Sequence, residues 1–334
     1  MRPGRISIVV PVYNEARILP ELTRRIDNVV TRLPEFEWEV IYVDDGSTDD
    51  SAAVLETMAL EHPWLRVLFL SRNFGHQTAI TAGIDDALGD AVILMDGDLQ
   101  DPPEVIPQLI ERWQQGFDVI TARRRRRNGE SAFKLATAFL FYRTLRLLSD
   151  TSIPVDTGDF RLMSRKAVDA IKAMPERSRF LRGMVSWAGF KHTEVEYERS
   201  ERMAGETKYT FVKMLRLAAN GILSFSRVPL QLILGLGILF SVFSFIGILA
   251  VLYETLVLHT TVRGWSSLMS AILFMGGIQL VCLGMIGSYV GRIFDEVRAR
   301  PLYFIQSVFG HDAASQRADA FAPGPRVTVI GRRP

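Results

Sequence analysis

The sequence predicts an α/β domain built on a mostly parallel sheet, followed by a pair of membrane-crossing helices. Short β-branched runs alternate with helix-period runs through the first part of the chain. Polar clusters punctuate the ends of those β runs. Two later stretches carry almost no charge.

The elements follow in order. ISIVVPVY (6–13) reads as a strand and ILPELTRRIDNVVTRL (18–33) as a helix. WEVIYVDD (38–45) is a strand and SAAVLETMALEH (51–62) a helix. RVLFLS (66–71) precedes the helix HQTAITAGIDDAL (76–88), and AVILMD (91–96) precedes EVIPQLIERWQQG (104–116). DVITARR (118–124) is a further strand. Strands separated by helices imply a parallel sheet covered on both faces. Such sheets bind ligands beyond the carboxyl ends of their strands. Asn14 and Glu15, Asp44 and Asp45, Asn73, Asp96 and Asp98, and Arg123 all fall there.

The apolar stretches lie later. No charge occurs from Val228 to Tyr253 or from Gly264 to Gly291. Each run exceeds the roughly 20 residues that cross about 30 Å of hydrocarbon. The first span is assigned to 228–258 and the second to 264–291, joined as a hairpin. Lys208, Lys213, Arg216 and Arg227 precede the pair, and Arg292, Arg298 and Arg300 follow it. The positive-inside rule puts the large domain (1–206) and the C-terminal segment (292–310) in the cytoplasm, and the protein in the cytoplasmic membrane. Segments 131–148 and 207–227 mix apolar and basic residues in the manner of interfacial helices, and 311–334 reads as a disordered tail.

Composition narrows the class. The 334 residues are 48% hydrophobic and 23% charged, with a net charge of +2. That balance gives no ground for nucleic-acid binding. The single cysteine, Cys282, rules out an intrachain disulfide framework and fits a reducing compartment. The opening MRPGRISIVV runs into a core strand without the pattern of a secretory leader.

No GxGxxG follows the first strand and no GxxxxGK[ST] occurs, which disfavours a dinucleotide fold and a P-loop. MDGDLQDPPE (95–104) points elsewhere. Asp96 and Asp98 flank Gly97 at the end of an apolar strand, a spacing that binds a hard divalent cation through oxygen, with Gln100 able to add another.

PVYNE (11–15), VDDGSTD (43–49), the Asp96–Gly97–Asp98 triplet and TGDFRL (157–162) together resemble glycosyltransferase family 2, with its GT-A fold. The tail RARPLYFIQ (298–306) and the paired spans resemble the polyprenyl-phosphate glycosyltransferases, a group that includes dolichol-phosphate mannose synthase and the bactoprenol glucosyltransferases of O-antigen modification. The resemblance implies that Pro11, Tyr13, Glu15, Val43, Asp44 and Asp45 line a nucleotide-sugar pocket with Asp96 and Gly97. For the Asp44–Asp45 pair, helix capping is an alternative, with Ser47 the better cap. Asp98, Asp96 and Gln100 would hold Mg²⁺ or Mn²⁺ on the diphosphate. Arg123 opens the run RRRRR and is expected at a phosphate. Arg202 and Lys208 lie in RSERMAGETK, which resembles a loop that closes over the diphosphate. By resemblance, one of Asp156 and Asp159 sits beside the acceptor as the candidate base, Asp159 being preferred; because a lipid phosphate is already largely dianionic at neutral pH, the alternative is that Asp159 orients the acceptor or fixes Arg161.

The implied reaction moves a sugar, first choice glucose from UDP-glucose, to a polyprenyl phosphate such as undecaprenyl phosphate with inversion, in a homotetramer by resemblance. GDP-mannose, UDP-N-acetylhexosamine and aminoarabinose donors stay open. A processive polysaccharide synthase fits less well, because QLIERW (108–113) imitates QxxRW with one residue too many. A non-catalytic scaffold is disfavoured by the intact Asp96 and Asp98.

Overall fold

The computed structural model of the chain describes residues 4–124, 157–177, 179–197 and 264–310, with scattered positions between 233 and 253. It divides into two compact units, one built around a sheet and one containing a long apolar helix.

The sheet unit begins with β1 (Arg5–Val12), α1 (Leu19–Arg32), β2 (Glu37–Asp44), α2 (Ser51–Glu61), β3 (Leu65–Leu70), α3 (His76–Asp86) and β4 (Ala91–Leu94). A 3-10 turn at Pro103–Val105 leads into α4 (Ile106–Gln114) and then β5 (Val119–Arg124). Every strand and helix expected between residues 6 and 124 is present, with bounds shifted by a residue or two. Beyond them come β6 (Thr157–Ser164), α5 (Arg165–Ala173), α6 (Leu181–Ala188) and β7 (His192–Tyr197).

With β8 (Ile305–Gly310), the described residues form an 8-stranded sheet of order β7-β5-β6-β4-β1-β2-β3-β8. β1 pairs in parallel with β2 and β4, and β2 with β3. β6 runs antiparallel to both β4 and β5. The expectation of a mostly parallel sheet holds, with β6 and β8 as its reversed members.

Central strands covered on both faces read as continuous apolar runs. Accordingly Ile6, Ile8, Val9 and Val10 of β1 are fully buried. Ile8 and Val10 pack in one cluster with Leu22 and Ile26 of α1 and Leu109 of α4, while α3 covers the other face. The chain leaves β1 for β2 on one side and returns in β4 on the other, so a crevice opens between their carboxyl ends. Because β6 is reversed, its start lies beside the end of β4, with Arg161 opposite Leu94. That reversal carries Asp159 into the crevice.

The second unit holds α7 (Trp265–Arg298), a 34-residue helix. Its stretch Phe274–Arg298 has 25 residues and a mean hydropathy of 1.5, long and apolar enough to cross a membrane. At 1.5 Å per residue it spans about 37 Å. Leu280, Val281 and Leu283 project outward from different faces. The helix continues past the expected end at 291. Most of the first expected span lies outside the described residues; its described positions between 233 and 253 are helical, and Phe240 meets Phe274 edge-on at 6.1 Å. Among the described residues one helix passes the length and apolarity test for a span. Segments 131–148 and 207–227 and the tail 311–334 also lie outside the described residues.

After α7 the chain re-enters the sheet unit as β8 (Ile305–Gly310), antiparallel to β3. Ser71 N donates to Phe304 O at 2.9 Å, and Tyr303 Oη donates to Asp85 Oδ2 at 3.0 Å. Tyr303 and Ile305 are buried. Tyr303→Ala is expected to destabilise the sheet unit by about 3 kcal/mol, as large-to-small core changes do, and Tyr303→Phe by about 1 kcal/mol for its hydrogen bond. Urea unfolding in detergent checks both; equal stability of the Ala variant would show β8 to be a dispensable edge.

Candidate active site at the carboxyl edge of the sheet

The loops after β1 and β2 are laced together by side chains. Asn14 adopts a left-handed backbone, φ 59°. Its Oδ1 accepts from Thr48 N at 2.7 Å and Asp49 N at 3.3 Å. In return, Asn14 N donates to Ser47 Oγ and Glu15 N to Ser51 Oγ, both at 3.0 Å. Pro11 and Val43 are buried while Tyr13 is exposed, its ring available to pack on a flat partner.

Asp44 and Asp45 are buried. Both Asp44 oxygens accept from Ser47 N at 3.3 Å. Asp45 accepts from Phe74 N at 2.7 Å and Gly75 N at 2.9 Å, so it holds the β3–α3 loop. Burial pushes both carboxyls above the usual range, opposed by these donors. Capping of α2 is not their role: Asp50 occupies that cap position without a side-chain bond, and Ser47 is engaged with Asn14. Gly46 sits at φ +67° with its missing Cβ 2.5 Å from the Arg72 backbone, so a side chain there would collide with the same loop.

The segment after β4 is folded tightly. A Cβ on Gly97 would stand 3.0 Å from Pro11 O, which brings the triplet against the β1 end. Leu99 has φ 60°. Asp98 Oδ1 accepts from Gln100 N at 3.1 Å. Asp101 is fully buried; it accepts from Tyr197 Oη at 2.6 Å and from Asp96 N at 3.4 Å. Gln100 Oε1 and Asp96 Oδ1 are buried without an aligned hydrogen-bond donor.

Asp159, 4% exposed, is engaged from several elements at once. Arg182 of α6 grips it with a fork, Nε to Oδ1 at 2.9 Å and Nη2 to Oδ2 at 3.1 Å. Gln77 Nε2 donates to Oδ2 at 3.2 Å. His76 Nε2 lies 3.5 Å from Asp159 Oδ2 and 3.3 Å from Asp96 Oδ1. Arg161 Nη2 stands 3.5 Å from Asp159 Oδ1 and donates to Gly158 O at 3.0 Å. Burial alone would raise the Asp159 pKa, but hydrogen bonds from His76 and Arg182 and the two guanidinium charges outweigh it and hold it far below the usual range. Arg161 is itself buried, and burial lowers its pKa.

The crevice thus gathers the loops bearing Pro11, Tyr13, Glu15, Val43, Asp44 and Asp45 with Asp96, Gly97, Asp98, Gln100, Asp159 and Arg161. Arg123, at the end of β5, is ion-paired with Glu194 of β7 at 3.0 Å. Asp156, Arg202 and Lys208 lie outside the described residues. His76, Gln77, Asp101 and Arg182 belong to the cluster but were not singled out from sequence. The signal for the first two was their place after β3, where Asn73 drew the attention and is in fact exposed.

The Glycosyl transferase family 2 model matches residues 7–172. The uncharacterized glycosyltransferase YkcC of Bacillus subtilis is 49% identical over 91% of this chain and 94% of its own. The chain belongs to glycosyltransferase family 2. The prophage bactoprenol glucosyl transferase homolog of Escherichia coli is 42% identical over 91% of this chain and 99% of its own. A solved structure, glucosyl-3-phosphoglycerate synthase of Mycobacterium tuberculosis with Mn²⁺ and UDP-glucose, is 20% identical with a TM-score of 0.44, covering 66% of this chain and 77% of that one.

In this glycosyltransferase, His76, Asp96 and Asp159 offer ligand atoms within 4.8 Å of one another, a set able to hold a cation. Asp159 is already occupied by the Arg182 fork, Asp96 Oδ1 faces His76 Nε2 at 3.3 Å, and Gln100 Oε1 is buried without a hydrogen-bond donor. Burial pulls the His76 pKa down, but hydrogen bonds and charge from Asp159 and Asp96 raise it from 6.5 to about 10. A raised pKa means that this ion pair stabilises the fold fully below about 6.5 and loses that contribution as pH climbs through about 10. NMR titration is expected to find His76 still protonated at about pH 8, and added Mg²⁺ to lower its pKa by taking charge from Asp96. An ordinary titration near 6.5 in the metal-free protein would dissolve the proposed ion pair.

Proposed function

We propose that this glycosyltransferase transfers glucose from UDP-glucose to undecaprenyl phosphate, with inversion, at the cytoplasmic face of the membrane. The observation that carries the reading is identity of 41–42% over more than nine-tenths of both chains to proteins named bactoprenol glucosyl transferase. The exposed apolar helix α7 supports residence beside a lipid substrate. A hairpin with the run at 228–258 is part of the proposal, supported by the Phe240–Phe274 contact and by basic residues on both flanks.

Asp98, Asp96 and Gln100 would hold the divalent cation. When bound, it supplies positive charge against the departing nucleoside diphosphate. The loops after β1 and β2 would seat the base and ribose, Tyr13 packing on the base. The acceptor's phosphate has a second pKa near 6 and is largely dianionic at neutral pH. It needs no proton removed, and Asp159, held far below the carboxylate range, is poorly suited to accept one. Asp159 therefore orients its neighbours rather than acting as a general base.

Membranes incubated with a panel of radiolabelled nucleotide sugars and undecaprenyl phosphate, then extracted, are expected to yield lipid-borne glucose from UDP-glucose. Lipid label from GDP-mannose or a UDP-N-acetylhexosamine instead would overturn the choice of sugar. Asp98→Ala is expected to lower kcat roughly a thousandfold, about 4 kcal/mol of barrier, with unchanged thermal unfolding. Near-normal turnover at saturating Mn²⁺ would remove Asp98 from the cation site.

A further inference from the structure

The sheet order sorts the site into positions. The nucleotide motifs sit on β2 and β1, the cation loop follows β4, and Asp159 lies on β6. From β2 to β6 is about 14 Å at the usual strand spacing, comparable with an extended nucleotide sugar. The acceptor end of the crevice is therefore the β6 side, next to α6.

Arg182 stands at that end, on the second residue of α6. Its Nε and Nη2 edge is held by Asp159, which fixes the plane of the guanidinium. Its side chain is 37% exposed, against 6% for Asp159, so the anion is inside and the cation faces outward. Gln77 holds this arrangement from both directions: its Nε2 donates to Asp159 and its Oε1 accepts from Leu181 N at 3.2 Å, at the very start of α6. A second guanidinium, Arg161, is buried behind, giving two fixed positive charges against the single Asp159 carboxylate. Asp96 faces Asp159 across His76. A planar, pre-aimed guanidinium is the group best matched to phosphate oxygens.

We propose that Arg182 contacts the phosphate of the acceptor, and that Asp159 and Gln77 are the positioning residues that aim it. This rests on the reading that the acceptor is a polyprenyl phosphate. Asp159 then matters because an unheld arginine would lose conformational entropy on meeting its ligand, whereas a held one has already lost it.

The test uses the full-chain protein in detergent micelles, with undecaprenyl phosphate varied at saturating UDP-glucose and the reverse, for wild type, Arg182→Ala and Arg182→Lys. Arg182→Ala is expected to raise the acceptor KM at least tenfold and leave the UDP-glucose KM within twofold. Arg182→Lys should recover part of the acceptor KM through its charge but not all of it, lacking the fork. Should the Ala variant fail to fold by thermal unfolding, the Lys variant alone decides, expected at a severalfold raised acceptor KM. A rise in the UDP-glucose KM instead would place Arg182 on the donor diphosphate, and a fall in kcat with acceptor KM unchanged would leave it only a prop for Asp159; either overturns the inference. Wild type that transfers sugar to no polyprenyl phosphate overturns the functional reading and this inference together. Wild type that transfers normally while both variants keep its acceptor KM overturns this inference alone.

Discussion

Moving a carboxylate from water into a protein interior costs several kcal/mol unless charge and hydrogen bonds replace its hydration. The loops and strand ends at the carboxyl edge of this sheet bury Asp44, Asp45, Asp101 and Asp159. Each is satisfied by a different segment: Ser47 for Asp44, the Phe74 and Gly75 amides for Asp45, Tyr197 for Asp101, Arg182 and Gln77 for Asp159. The need to satisfy these acids is what ties the loops to one another. Asp45 fixes the start of α3, α3 presents His76 and Gln77, and Gln77 fixes the start of α6. Loss of one acid would therefore loosen a neighbour's loop as well as its own.

The same network bears on chemistry. An acid gripped by a guanidinium fork is a poor proton acceptor, and a phosphate nucleophile hardly requires one. What the arrangement supplies is fixed charge, aimed before substrate arrives, and fixed charge costs no reorganisation when bonds change. Gln100 Oε1, buried without a hydrogen-bond donor, contrasts with this saturation.

The first five strands and the helices between them were legible because apolar periodicity and polar strand ends agree there. The later strands were not. β6 carries Asp159 and Arg161 within a buried run, so its sequence resembles a motif more than a strand, although Phe160 and Leu162 are fully buried. β7 reads HTEVEY, with only Val195 and Tyr197 buried, too polar to announce itself. The acidic site residues stood out by type and position, whereas Gln77 and Arg182 look like ordinary surface residues until the fold sets them against Asp159. Nothing local in LRGMVSWA distinguishes an arginine aimed at a buried acid from one in water. The apolar character of residues 264–291 was plain, but the extension of its helix to Arg298 was hidden by the charged residues of RIFDEVR.

The return of the chain as β8 has a consequence for biogenesis. β3 gains its outer neighbour only from residues 305–310, which are synthesised after all of α7. Until then β3 is an open edge, and the backbone at Ser71, which begins the loop that Asp45 holds, lacks its Phe304 partner. A ribosome making this protein therefore finishes the apolar helix before the sheet can close. Completion of the sugar-transferring unit is thereby placed after synthesis of the long apolar helix, an ordering written into the topology itself.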